Sequence, residues 1–581
     1  MLGSLAAIWI SMMLIVLLVM LATVSAVVSS VSSKSSIKVK DNTVLVLNLD
    51  AVIEERPLTP DIMDLINQTP QPESLSAIVA AIGAAKEDSH IEGISIECAG
   101  SAAGFATKEA IREALADFKT SGKWVTAYAD AYTQGDYYVA SVADSLFLNP
   151  IGAVELRGVA TGIPFFKGLL DKVGVEMQVV KVGTFKSAVE PYILTGMSEA
   201  NREQTKVYLG AIWDGMVKAL SESRNISAAD INQYADSMLS LTPADSLVGY
   251  RIVDALKYHH EYVDMLKNLT DRPHDKDLRS VNVGEYLASG VETPHSQDKK
   301  NKIAVYYACG DITESGKDGI ASDRVVPDLL KLAEDDDIDA LVLRVNSGGG
   351  SAFASEQIWN ALEVFKSKGK TFYVSMGDYA ASGGYYISCG AKKIFAQPMT
   401  LTGSIGIFGM IPCVKELVND KLGVNIDYVS TNANSVGISI MEPMTPFQRQ
   451  RLQAEINRGY ELFTKRCADG RHMSQDSIKA IAEGRVWDAA SALKIGLVDE
   501  LGSLDDAVAA LAKELGYNNY QIVDYPSASD SFWDMIAEFE KNMRVKAMKE
   551  ELGIYYPVYD EVKKIKERSS IQARMETIVI D

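Results

Sequence analysis

The feature that most constrains this chain is that it contains the same helix twice. EAIREALADFKTSGK (109–123) aligns without a gap on EQIWNALEVFKSKGK (356–370), each position of the second being the first plus 247. Strand-like apolar runs flank both copies: GISIEC (93–98) and WVTAYA (124–129) in the first, ALVLRV (340–345) and TFYVSM (371–376) in the second. VLVLNL (44–49) and IAVYYA (303–308) precede them in the same relative order. Strands alternating with amphipathic helices define an α/β domain, and repetition on this scale means two copies of one module. A length of 581 residues, beyond what one core serves, agrees. The expected repeats span 42–288 and 303–515, joined by the polar stretch SGVETPHSQDKKNK (289–302).

The N-terminus carries a different signal. No charged residue occurs from Leu2 to Ser33, and residues 8–28 are almost wholly apolar. About 20 such residues cross a bilayer as helix, so 1–33 is expected to be an uncleaved transmembrane anchor. A cleaved signal peptide ending near VSA (24–26) is the rival. Lys34, Lys38 and Lys40 follow the apolar run, and by the positive-inside rule they favour a cytoplasmic body.

Composition removes several function classes. A net charge of −20 offers no basic stripe for phosphates, which argues against nucleic-acid binding. Five cysteines without C-x-x-C spacing make neither a disulfide framework nor a zinc site, and read as buried apolar residues. H-E-x-x-H is absent, and GDITESGKD (310–318) fails the phosphate-loop spacing. No metal or cofactor is expected.

Where the repeats diverge, they diverge in complementary ways. Aligning ADAYTQGDYYVA (129–140) with GDYAASGGYYIS (377–388) puts Gln134 opposite Ser382. Aligning 171–191 with 420–440 puts Lys186 opposite Ser435. One copy thus holds a placed hydroxyl and the other a lysine, as if a composite site were shared between them. A serine attacks acyl carbon only when a base takes its proton. Five of the six histidines precede the second repeat, and His472 sits in ADGRHMSQ, which reads as an exposed turn. Lysine is the remaining base, and must be held neutral. Lowering its pKa by about three units costs about 4 kcal/mol, supplied by burial. The setting VGTFKSAVEP permits burial, although from local sequence alone a solvated loop lysine is the simpler reading. Ser382 likewise reads as a helix N-cap if it is not a nucleophile. RVNSGGGSAF (344–353) supplies glycines at a strand end, so the N–H groups of Gly349, Gly350 and Gly383 are candidate oxyanion donors.

RVNSGGGS, GDYAASGGYYIS, LTGSIGIFG (401–409) and VGTFKSAVEP, in this order of roles, closely resemble the signal peptide peptidase SppA (protease IV) family in its long, two-repeat form. The resemblance covers the anchor and about residues 40–515. It implies a Clp-protease/crotonase-like fold in each repeat, with Ser382 as nucleophile and Lys186 as general base. It also implies a membrane-tethered homotetramer that degrades remnant signal peptides. In a bacterium its body would face the periplasm from the inner membrane, against the charge count. Ser404, within LTGSIG, is expected to orient the lysine. The sequence departs from the family at Gly348, where proline is usual. The remainder, 516–581, is expected to be a helical tail with an amphipathic stretch at 532–553 that covers an oligomer surface. Two rival functions remain at this stage: a crotonase-like enzyme acting on a coenzyme A thioester, and a non-catalytic membrane scaffold.

Overall fold

The computed structural model describes residues 38–57, 73–293, 300–526 and 570–576, with scattered positions between 545 and 556. The expected anchor and most of the helix expected at 532–553 lie outside the described residues. Among the described residues no helix is long and apolar enough to cross a membrane.

The first repeat is a six-stranded sheet. Its elements are β1 (Thr43–Leu49), α1 (Leu75–Glu87), β2 (Ile91–Cys98), α2 (Phe105–Lys119), β3 (Trp124–Tyr132), α3 (Gln134–Ala140) and β4 (Ser145–Val154). After β4 the chain sends out β5 (Glu176–Lys181), then a long helix α4 (Glu199–Arg224), β6 (Ala255–Leu256) and β7 (Ser280–Asn282). The sheet order is β6-β4-β3-β2-β1-β7, with every pairing parallel. Strands buried on both faces explain why these segments read as continuous apolar runs rather than alternations. Ile78, Ile82, Ile111, Leu115 and Phe118 from α1 and α2 pack against it. Each such buried side chain contributes about 1.5–3 kcal/mol.

The second repeat opens with β8 (Lys302–Cys309), β9 (Ile312–Thr313), β10 (Ile320–Ala321), β11 (Ala340–Ser347), β12 (Gly349–Ser351) and α5 (Ala352–Ser367). It continues with β13 (Thr371–Ala381), α6 (Gly383–Ser388), β14 (Ile394–Ala396), β15 (Leu401–Gly403) and β16 (Phe408–Cys413). Then come β17 (Val486–Asp488), β18 (Glu500–Leu501), α7 (Leu504–Leu515), β19 (Gln521–Tyr525) and, far downstream, β20 (Ile571–Arg574). Its main sheet runs β17-β15-β13-β11-β8-β19, with β14 and β18 alongside. Leu341, Leu343, Ile358, Leu362 and Phe365 fill one side, and Val342, Val508 and Leu511 the other.

The repeated helices α2 and α5 begin about four residues earlier than the aligned blocks and also end earlier. Ser351 starts α5, its Oγ accepting from Ala354 N at 3.3 Å. Both helices stop before the glycine of the shared "GK", because Gly122 and Gly369 adopt φ of +84° and +81°. Four of the five cysteines are buried and all are free, in keeping with their reading as small apolar residues.

The repeats are locked together by buried polar contacts as well as by packing. Asp378 on β13 accepts from Thr107 N (3.0 Å) and Thr107 Oγ1 (2.7 Å), capping the first turn of α2 across the interface. Arg344 Nε donates to Glu55 at 3.0 Å, and Asn346 Nδ2 donates to the same carboxylate at 2.8 Å.

A third sheet positions the site. Its order is β10-β9-β12-β20-β16-β5. β5 leaves the first repeat and pairs antiparallel with β16 of the second over six residue pairs, from Lys181↔Phe408 to Glu176↔Cys413. The tail expected to be helical contributes two strands to the described structure: β19, parallel to β8, and β20, between β12 and β16. Short segments of Gln, Val, Ile and Tyr form strands here because an unpaired sheet edge receives them, a tertiary cause that local pattern does not carry.

Candidate active site

Ser382 stands at a sharp corner between β13 and α6, with φ +57° and ψ −113°. A non-glycine residue in that region is strained, and the surroundings hold it there. Its N–H donates to Gly403 O at 2.7 Å, and its C=O accepts from Tyr386 N at 2.8 Å. The hydroxyl is thereby presented at the strand end, fully buried in the described structure.

Lys186 reaches it from the other repeat. Because β5 is zipped onto β16, the turn that follows carries Lys186 over β15 and the corner. Nζ lies 2.7 Å from Ser382 Oγ. The same nitrogen donates to Ser404 O at 3.0 Å and to Ser404 Oγ at 3.1 Å. All three partners are uncharged oxygens. Lys186 is only 1% exposed, and burial drives its pKa well below the ordinary 10.5, with Glu576 opposing the shift from a greater distance. Gly406 and Gly484 close around its stem: a Cβ on Gly484 would lie 2.6 Å from Lys186 Cβ.

The glycine corner faces the serine. Gly349 has φ +99°, and a Cβ there would come within 2.2 Å of Ala573 O and 2.7 Å of Gly383 N. Gly350 packs equally closely on Ile312 O, at 2.0 Å from its hypothetical Cβ. Three groups therefore converge on one spot: the Gly349–Gly350 turn, the N–H of Gly383, and the carbonyl of Ala573. Gly349 N donates to Ser347 Oγ at 3.1 Å, which fixes the turn. Gly348 C=O accepts from Met575 N at 2.8 Å.

The structure thus brings Ser382, Lys186, Ser404, Gly349, Gly350 and Gly383 into one cluster. Their counterparts in the alignment are elsewhere. Gln134 is buried at the start of α3, donating to Gly158 O (2.9 Å) and accepting from Arg157 N and Gly158 N. Ser435 lies in an exposed loop. The five described histidines are all exposed.

Sequence reasoning missed the polar support around the lysine. Glu190 accepts from Ser198 Oγ (2.6 Å) and Asn201 Nδ2 (3.1 Å), and Gln204 Nε2 donates to Phe185 O (3.1 Å) and Ser187 Oγ (3.1 Å). These residues are ordinary helix-surface types with no local mark. It also missed Glu576, which the tail places nearby and whose pKa is pushed up to about 7, chiefly by burial.

Two α/β repeats with largely parallel sheets, the second carrying a buried serine at a strand–helix corner, define a Clp-protease-like α/β fold. The sequence profile of the Clp protease family matches residues 311–402, and that of peptidase family S49 matches twice, at 117–271 and 364–518. Protease 4 of Salmonella typhi is 36% identical over 515 residues, covering 85% of this chain and 82% of that protein. Protease 4 of Haemophilus influenzae is 35% identical over 490 residues, covering 82% and 79%. The chloroplastic serine protease SPPA of Arabidopsis thaliana is 28% identical over 434 residues, covering 74% and 63%. The chain belongs to peptidase family S49, in the long form with tandem domains, and is a serine peptidase.

Proposed function

We propose that Ser382 is the nucleophile and Lys186 the general base of a membrane-anchored endopeptidase. The observation that carries this reading is the 2.7 Å contact between a buried lysine and the strained serine, with only neutral oxygens hydrogen-bonded to the amine. A neutral amine has two N–H donors and one lone pair. Ser404 O and Oγ take the two donors, which leaves the lone pair for the Ser382 hydroxyl.

In the reaction, Ser382 Oγ bonds to the scissile carbonyl carbon as its proton passes to Nζ. The N–H of Gly383, held against the Gly349–Gly350 turn, receives the oxyanion; the Gly349 N–H, a candidate donor from the sequence, is instead taken by Ser347 Oγ. The ammonium returns the proton to the leaving amine as the C–N bond breaks. Water then attacks the ester, giving its proton to Nζ, and the acyl–Oγ bond breaks with Oγ reprotonated. Ser404 orients the amine.

The substrates we assign are extended peptides, in particular remnant signal peptides, cleaved by a body on the periplasmic face of a bacterial inner membrane. The apolar run at 8–28 and the motif resemblance support this assignment. The assembly we assign is a homotetramer, and an unpaired arm supports self-association. The first repeat's arm (171–191) docks on the second repeat through β5. The second repeat's counterpart (420–440) projects with Leu422, Val424 and Ile438 exposed and Val429 fully so. Such an arm fits the first repeat of a neighbouring copy, a head-to-tail contact that closes a ring.

The test is covalent labelling by a fluorophosphonate, mapped by peptide mass. Modification of Ser382, abolished in Lys186→Met, is expected. Labelling elsewhere, or undiminished labelling in Lys186→Met, overturns the assignment.

A further inference from the structure

Ser382 and Lys186 belong to different repeats, so their separation is set by whatever ties the lysine turn to the strands under the serine corner. On the serine side those strands are β15 and β17, which pair antiparallel with Gly403 opposite Val486. Gly403 O accepts from Ser382 N at 2.7 Å, and Arg485 O accepts from Ser404 N at 2.7 Å. Residues 485–486 thus anchor both the nucleophile's corner and the serine that holds the amine. On the lysine side, residues 183–187 form a loose turn: Lys186 N bonds back to Gly183 O at a long 3.4 Å. Its outer face leans on Glu483, whose O accepts from Phe185 N (2.9 Å) and whose Oε2 accepts from Thr184 N (3.0 Å) and Thr184 Oγ1 (2.8 Å). The side-chain contacts of Glu483 are exposed, where water competes for each partner and little net stabilisation remains.

One buried side chain spans the gap from within. Gln204 stands on α4 and is 1% exposed. Its Oε1 accepts from Val486 N at 3.1 Å, on the serine side. Its Nε2 donates to Phe185 O and to Ser187 Oγ, each at 3.1 Å, so it grips the residues on both sides of Lys186. Asn201, one turn earlier on α4 and fully buried, accepts from the same Nε2 at 3.1 Å and donates its own Nδ2 to Glu190 at 3.1 Å, which holds the amide from behind. A primary amide carries donors at one end and an acceptor at the other without any charge. Glutamate would lose the donors and set a carboxylate beside the turn, and methionine would lose both ends while keeping the length. Removing the amide leaves Val486 N and Phe185 O buried without this partner, so the two halves of the site lose their internal tie.

We propose that Gln204 is a positioning residue for the reaction: by bridging the lysine turn of the first repeat to β17 of the second, it fixes the place of the Lys186 amine over Ser382. It acts through Lys186 and moves no proton itself. Displacing a catalytic group by about 1 Å costs about 100-fold in rate, so a bridge of this kind governs turnover without governing peptide binding. The inference rests on the assignment of Ser382 and Lys186 made above, and the experiment separates the two.

Gln204→Met and the milder Ser187→Ala are each made in the full-length wild-type chain and in Lys186→Met. An internally quenched peptide gives kcat and KM, and a fluorophosphonate gives the inactivation rate at Ser382 for every chain. For Gln204→Met the expected result is a kcat and an inactivation rate lower by about 100-fold, with KM within about twofold of wild type. Ser187→Ala removes one bond of the bridge and should lower both rates about fivefold, which keeps the test decisive should Gln204→Met fail to fold. In the Lys186→Met background neither substitution should change the inactivation rate by more than about twofold, because no amine is left to place. Wild-type rates in both variants, or a rise in KM alone, overturn the inference. An equal fall with and without Lys186 also overturns it, since damage to the fold or to the serine corner acts in both backgrounds. A Lys186→Met chain inactivated as fast as wild type overturns the dyad itself, and the proposal with it.

Discussion

Replacing Gly349 by alanine tests the geometry of the glycine corner. A Cβ at this position would sit 2.2 Å from Ala573 O, 2.7 Å from Gly383 N and 3.1 Å from Ala381 O. All three are backbone atoms, so no side chain can swing aside, and ordinary contacts begin about 1 Å further out. The φ of +99° adds a strain of about 1–2 kcal/mol for any residue with a Cβ. The acyl carbonyl is therefore pushed off its donor. Loss of one oxyanion donor costs about 10²–10³ in kcat, or about 2.7–4 kcal/mol. The expected outcome for Gly349→Ala is a kcat at saturating peptide at least about 100-fold lower, with an unchanged far-ultraviolet circular dichroism spectrum. A folded Gly349→Ala variant retaining a third or more of wild-type kcat would refute the reasoning.

Three other outcomes follow from particular contacts. Ser404→Ala removes one acceptor from the Lys186 amine, and a hydrogen bond worth about 1 kcal/mol predicts about a fivefold lower kcat with KM unchanged. Because that acceptor also steadies the ammonium, the midpoint of the pH–rate profile should move to lower pH; an unmoved midpoint and kcat would exclude an orienting role. Glu576, beside Glu190, Lys186, Ser187 and Asn201, has its pKa raised from 4.5 to about 7. A raised folded-state value stabilises tail docking fully below the free value and loses that contribution as pH rises through about 7. Hydrogen exchange at residues 571–575 should therefore be slower at pH 6 than at pH 8 in the wild-type chain, and the difference should vanish in Glu576→Gln. Val429→Asp places a charge on the exposed arm and should lower the molar mass seen by light scattering while leaving the fold intact.

How far the site could be read in advance depended on where each residue's signal lies. Ser382 was legible because a strand run, a small-residue corner and glycines meet within ten residues. Lys186 was legible through the repeat alignment and the family resemblance together, since VGTFKSAVEP alone fits a solvated loop. They stand 196 positions apart in sequence, and what joins them is the β5–β16 pairing, whose register no local pattern encodes. The repeat gave both sheets, because parallel strands buried on two faces leave long apolar runs. It could not give β20: Ile-Gln-Ala-Arg is too short and polar to read as a strand, and forms one only because two open edges await it. Glu190, Asn201 and Gln204 carry the lysine's support from helix positions that resemble any others. The support of the first turn of α2 was also out of reach, because the Asp378 carboxylate that accepts from Thr107 belongs to the other repeat.

The most direct test of the Ser382–Lys186 pair is the rate of fluorophosphonate inactivation as a function of pH. Burial lowers the Lys186 pKa, so the base-competent neutral amine prevails above a midpoint well below 10.5, and the proton returns as pH falls through it. The account predicts a wild-type rate that climbs with pH to a plateau through that midpoint, and a Lys186→Met rate lower by about 10²–10⁴ throughout. A midpoint at the free-lysine value of about 10.4, or a Lys186→Met chain inactivated as fast as wild type, would contradict it.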